Sequence, residues 1–169
     1  MNTDVLVKLV IIFIVSFLPI TEVRGGIPLA VAWFSNDSTM LVAGVLTAVA
    51  GNMLIAPFVL YLLKYIDRFI RSSKIVPATL RSAYIKVLDY VQKKSKRFEN
   101  YEATALALFV GVPLPATGAW TGSLIAFLLG MDRRKALIAV ELGVLIASII
   151  VFAASYAGIA ILKKIFYLQ

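Results

Sequence analysis

Three ionisable side chains stand in stretches of this chain that otherwise read as lipid-buried: Glu22, Arg24 and Glu141. An Arg, Lys or Asp at the centre of a membrane helix costs roughly 2.5–3.5 kcal/mol, and a Glu is treated alike. Such groups therefore face protein or water, and pairing is the usual remedy. Glu22 and Arg24 lie two residues apart at an interruption of the apolar pattern. Glu22 suits a proton carrier and Arg24 suits a contact for an anion. The competing reading is a structural pair that locks a hairpin. Glu141 follows Lys135 by six residues, so it is either a third intramembrane charge or an interfacial one that snorkels.

The chain has no Cys and no His. Disulfides, thiolate or imidazole metal sites, Cys nucleophiles and His-based triads are excluded together. No nucleophile–base pair or metal cluster stands out, so neither an enzyme nor a cofactor is expected. Any proton relay must run through carboxylates.

The residues around these charges are unusual as well. Residues 25–29 read Gly-Gly-Ile-Pro-Leu, residues 111–115 read Gly-Val-Pro-Leu-Pro, and Ala-Trp follows each at 32–33 and 119–120. Proline removes a backbone donor and glycine leaves helical geometry cheaply, so a break is expected at Gly25, Gly26 and Pro28 and again at Pro113 and Pro115. In lipid, broken backbone survives only against protein or a wet cavity. Matching interruptions in two halves of a hydrophobic chain are the best sequence pointer to a transporter's binding site. Half-helices starting near Pro28 and Thr117 would aim their positive ends at an anion, with the hydroxyls of Thr21, Thr117 and Thr121 beside them. The segment 118–122 is also a GxxxG, which more often marks close helix packing, and Trp33 and Trp120 have the alternative role of interfacial anchors.

The elements that must carry these residues follow from composition and length. With 61% hydrophobic and 15% charged residues and a mean hydropathy of +0.92, the chain reads as an integral membrane protein. Residues 39–63 and 136–162 are each about 25 residues long, enough to cross a bilayer with tilt. The first contains Asn52 and Pro57, which predict a kink or a polar contact. Residues 5–17 and 103–110 are too short to cross, and each is followed by its break and a second short apolar run, 28–34 and 117–130. Both pairs are expected as re-entrant hairpins. Lys8 ahead of the apolar run 9–18 resembles a signal peptide, but Asp4 and the lack of an Ala-x-Ala site argue against cleavage.

Lys and Arg outnumber Asp and Glu by 17 to 9, and ten of the cations fall within 64–100, among them Lys74, Lys96 and Arg97, against Asp67, Asp89 and Glu99. A basic stretch between hydrophobic spans is usually a cytoplasmic loop, so nucleic acid is not expected as a partner. Pro77 opens a stripe of Leu80, Tyr84, Val87, Leu88 and Val91 opposite Arg81, Lys86, Lys93 and Lys94. That pattern is either an amphipathic helix on an anionic leaflet or a solvated connector. The expected architecture is an all-α integral membrane fold. It is an inverted repeat of two re-entrant helical hairpins plus two main transmembrane helices, with a cytoplasmic amphipathic helix between. Its parts are 1–63, 64–100 and 101–169. Four plain spans with two kinked helices are the alternative.

Residues 22–28 and 113–122 together resemble the small multidrug export protein family, over nearly the whole chain. That family is in turn similar to the DedA membrane proteins, whose fold uses two re-entrant hairpins and flanking spans. By that resemblance Glu22 and Arg24 match the charged residues of a first hairpin. The resemblance implies proton-coupled transport or flipping of an anionic, phosphorylated lipid or small amphiphile in the cell membrane. DedA second hairpins carry arginines, whereas residues 109–130 have none. Export of lipophilic cations and a non-transporting membrane scaffold are the alternative functions. Membrane lipids and a second copy of the chain are the expected partners, since so few elements enclose little space alone.

Overall fold

The computed structural model describes residues 3–73, 75–95 and 101–167. Lys74, Lys96, Arg97 and Glu99 of the basic segment lie outside the described residues, as does the side chain of Lys163. The described residues form eight helices: α1 (Thr3–Phe17), α2 (Glu22–Phe34), α3 (Ser38–Met53), α4 (Ile55–Ser72), α5 (Ala78–Ser95), α6 (Glu102–Gly111), α7 (Ala119–Leu129) and α8 (Arg133–Tyr167). No strand occurs among them.

Helices α1 and α2 pack on each other as a hairpin, and both lie against α3. The turn between them is 18–21, because Pro19 disfavours helical geometry at Leu18. This corrects the expected break at Gly25, Gly26 and Pro28: α2 runs straight through all three. Pro28 withholds one hydrogen bond from the carbonyl of Arg24, and the packed helix tolerates that loss. The two glycines serve contact rather than flexure. A Cβ on Gly25 would press on Val15 and Thr21, and one on Gly26 would collide with the Ser16 side chain. The small residues thus let α1 and α2 approach closely.

Asp37 caps α3 by accepting from the N–H groups of Thr39 and Met40 at 3.0 and 3.1 Å. Together α3 and α4 form a 35-residue apolar stretch, Ser38–Ser72, interrupted only at Leu54. Pro57 explains the interruption, since its missing N–H and its ring fall opposite the carbonyl of Met53. The helix then continues to Ser72, so the basic region begins on α4 itself. The helix expected after Pro77 is α5, but its stripe is divided within the protein: Leu88 is buried, while Leu80 and Val87 are exposed. Tyr84 donates to Asp67 Oδ1 at 3.0 Å and ties α5 to α4. Burial, together with that bond, holds the Tyr84 phenol above its ordinary pKa.

The second hairpin places α6 and α7 at about 15 and 16 Å, half the thickness of a bilayer core. Its start and finish meet at one end of the molecule, where Glu102, Leu129, Asp132 and Lys135 line a common hollow. Gly130 closes α7 in the left-handed conformation, φ 72°, which a glycine adopts without a Cβ penalty. Asp132 then starts α8 by accepting from the N–H groups of Arg134 and Lys135. Helix α8 is the spine of the fold, packing along α6, α2 and α7. Gly143 and Gly111 bring it against α6, with Val110 and Ile146 filling the facing spaces. Ile12, Ile27, Val110, Val140 and Val144 form the centre of the core.

Candidate functional site

The elbows of the two hairpins touch. Trp120, at the start of α7, donates its indole N–H to the carbonyl of Phe17 at 2.9 Å, just before the first elbow. Around that bond Phe17, Phe58 and Trp120 pack edge to face, with ring centroids 5.6–6.0 Å apart. Trp120 is therefore a bridge between α1, α4 and α7, and its reading as an interfacial anchor gives way to this one. Trp33 is exposed near the end of α2.

Glu22 opens α2 directly after the first elbow and is 3% exposed. Its carboxylate accepts from the backbone N–H groups of Ala119 and Trp120, each at 3.3 Å. These are the first two residues of α7, whose positive end and unmet donors attract an anion. Gly118 supplies no side-chain cap, and a Cβ there would overlap the Glu22 carboxylate. A carboxylate from one hairpin thus caps a helix of the other, 97 residues further along the chain.

Arg24 completes the cradle. One guanidinium nitrogen is 3.7 Å from Glu22 Oε2, and the other donates to Thr117 Oγ1 at 2.8 Å and to the Val112 carbonyl at 3.4 Å. Thr117 stands within 2.6 and 2.7 Å of the carbonyls of Val112 and Leu114, which shapes the loop that holds Pro113 and Pro115. The Glu22–Arg24 pair is thus real but long, and Arg24 spends its shortest bond on the opposite hairpin.

Strain marks both elbows. Glu22 and Ala116 adopt positive φ, 48° and 64°, a region that costs an L-residue on the order of 1–3 kcal/mol when tertiary contacts impose it. Behind Glu22 lies a buried polar patch. Asn52 is fully buried, borders Glu22 and donates to the Ser16 carbonyl at 3.2 Å. Ser16 Oγ, Asn52 Oδ1, Ser123 Oγ and Arg24 Nε are buried without a hydrogen-bond partner.

Of the residues singled out by sequence, Glu22, Arg24, Asn52, Thr117 and Trp120 are brought together. Gly25, Gly26 and Pro28 sit inside α2 and pack it, and Pro113 and Pro115 shape the second elbow. Glu141 stands apart on α8, about 12 Å along the helix from Arg133. Its Oε2 is buried with no hydrogen-bond partner, and no bond among the described residues links it to Glu22 or Arg24. Sequence reasoning missed Ala116, whose strain has no sequence signal. It also missed Phe17, Phe58, Ser16 and Ser123, whose only signal is membership of apolar helices. The described residues hold no cluster of three or more metal-ligating acids.

Residues 22–150 match the family described as putative small multi-drug export protein. No curated protein matches the chain, and no solved structure does. The match begins at Glu22, directly after the first elbow, and spans the second elbow and about half of α8. A membrane location agrees with that family and with two helices, among the described residues, long and apolar enough to cross a bilayer.

Proposed function

We propose, from the premise that the chain belongs to the small multidrug export protein family, that it is a proton-coupled transporter or flippase of an anionic lipid or small amphiphile. Its two hairpins are re-entrant, enter from opposite leaflets as an inverted repeat, and meet at the bilayer midplane. A homodimer of the cell membrane encloses the path. The observation that carries this reading is the Glu22 carboxylate, seated on the first N–H groups of α7 with Arg24 beside it.

That position is an anion site already filled by the protein's own carboxylate. A proton arriving at Glu22 removes the charge that α7 and Arg24 hold. Hydrogen bonds to a charged group contribute about 1.5–3 kcal/mol, so protonation frees the elbow on that scale. The α7 N–H groups and the Arg24 guanidinium then face an incoming phosphate or carboxylate. Loss of the proton returns Glu22 to its seat and expels the substrate. The absence of arginines from α6 and α7 leaves Arg24 as the cation of the cradle, which suits a singly charged headgroup.

Reconstitution in liposomes tests this. Movement of phospholipids and of a polyprenyl phosphate is scored with and without a pH gradient. Wild type moves one of them faster with the gradient, Glu22→Gln loses the gradient dependence, and Arg24→Ala loses movement at least tenfold. Failure to move any of these lipids removes the flippase reading. A second reading, export of lipophilic cations, draws on Glu141, whose buried oxygen lacks a partner. It predicts that Glu141→Gln abolishes export of a lipophilic cation while Glu22→Gln leaves it intact.

A further inference from the structure

Three adjoining apolar hollows run along α7 beside the basic helix α5. The first, about 370 Å³, lies between Leu80, Val87 and Val91 of α5 and Leu128 of α7. The second, about 260 Å³, shares Val91 with it and adds Tyr90 and Lys94. The third, about 470 Å³, shares Ser95 and Leu129 with the second and continues between α6 and α7 over Phe109 and Ile125. The shared residues make these a single groove with two apolar arms.

At its waist stands Lys94, whose ammonium lies 5.7 Å from the Tyr90 ring. The carboxylate lining the groove, Glu102, accepts a hydrogen bond from the Ser95 hydroxyl. On α5, Leu80, Val87 and Tyr90 are 63%, 64% and 66% exposed. Such a row is stable where lipid rather than water covers it. Cationic pockets between helices on the cytoplasmic side suit anionic headgroups.

We infer that this groove binds one anionic phospholipid, with an acyl chain in each arm and its phosphate on Lys94. The charge at the waist and the two arms on either side of it fit that ligand and not a single-tailed or cationic one. The site is separate from the elbows, so its occupancy does not depend on the transport reading.

The test uses the full chain in nanodiscs of equal parts phosphatidylglycerol and phosphatidylcholine, followed by native mass spectrometry of the released protein. The groove predicts one retained phosphatidylglycerol per chain, at least tenfold over phosphatidylcholine. Lys94→Glu brings that ratio to parity and Leu128→Trp, which fills the first arm, lowers total retention. Lys64→Glu, on α4 outside the groove, leaves both unchanged. Parity in the wild type, an unchanged ratio in Lys94→Glu, or an equal loss in Lys64→Glu overturns the proposal. Circular dichroism melting confirms that each variant is folded; Lys94 is exposed, so its variant decides the matter even if Leu128→Trp does not fold.

Discussion

At the scale of single residues, the elbow is held by bonds that few side chains can replace. Gly118→Ala places a methyl group where the Glu22 carboxylate sits. Overpacking of this kind costs about 1–3 kcal/mol, so the variant is expected to melt earlier and to lose transport, as read by a thermal shift assay and the liposome assay. Trp120→Phe keeps a ring between Phe17 and Phe58 but deletes the indole donor to the Phe17 carbonyl. About 1 kcal/mol of stability goes with that bond, and a milder shift in melting checks it. Much of this site was legible beforehand, because a charge within an apolar run is costly and must be answered by a partner. That logic reached Glu22 and Arg24, whereas Thr117 was named as the start of a half-helix and its bond to Arg24 was not foreseen. It failed at Gly25, Gly26 and Pro28, where small residues and a proline looked like a hinge. There, packing of α1 on α2 outweighed local propensity, and the true bend fell at Pro19.

At the scale of elements, caps and kinks account for where each helix starts and stops. Asp37→Ala removes the acceptor for two N–H groups at the head of α3, an expected loss of about 1 kcal/mol by the same melting measurement. Tyr84→Phe cuts the polar tie between α5 and α4. Faster amide hydrogen exchange in 78–95, with the rest of the protein unchanged, is the expected result. The two short helices of the second half and the break between them were legible, since Pro113 and Pro115 fall in the non-helical stretch between α6 and α7. The kink in the first span was placed by Asn52 and Pro57, and Leu54 lies between them. What composition did not disclose was partnership. Nothing in the order of residues says that α8 is the spine against which both α2 and α6 pack, because an apolar helix looks alike whichever neighbours it meets.

At the scale of the whole molecule, the hairpins determine which ends share a side. The finish of α6–α7 returns to the hollow from which it began. Because the chain lacks cysteine, single introduced thiols report on this directly. Ser82→Cys and Asp132→Cys are expected to react with a membrane-impermeant maleimide from one side of the bilayer, and Ser38→Cys from the other. Reaction of the Asp132→Cys thiol on the side opposite to that of Ser82→Cys would mean that the second hairpin crosses, and the proposed re-entrant arrangement would fall.

The long-range cap on α7 also imposes an order on biosynthesis. Glu22 precedes Ala119 and Trp120 by 97 and 98 residues, so until α7 is made its carboxylate has Arg24 and Asn52 of the first half as partners. A chain truncated before Ala119 is expected to be degraded faster than the full chain, which a pulse-chase measurement checks.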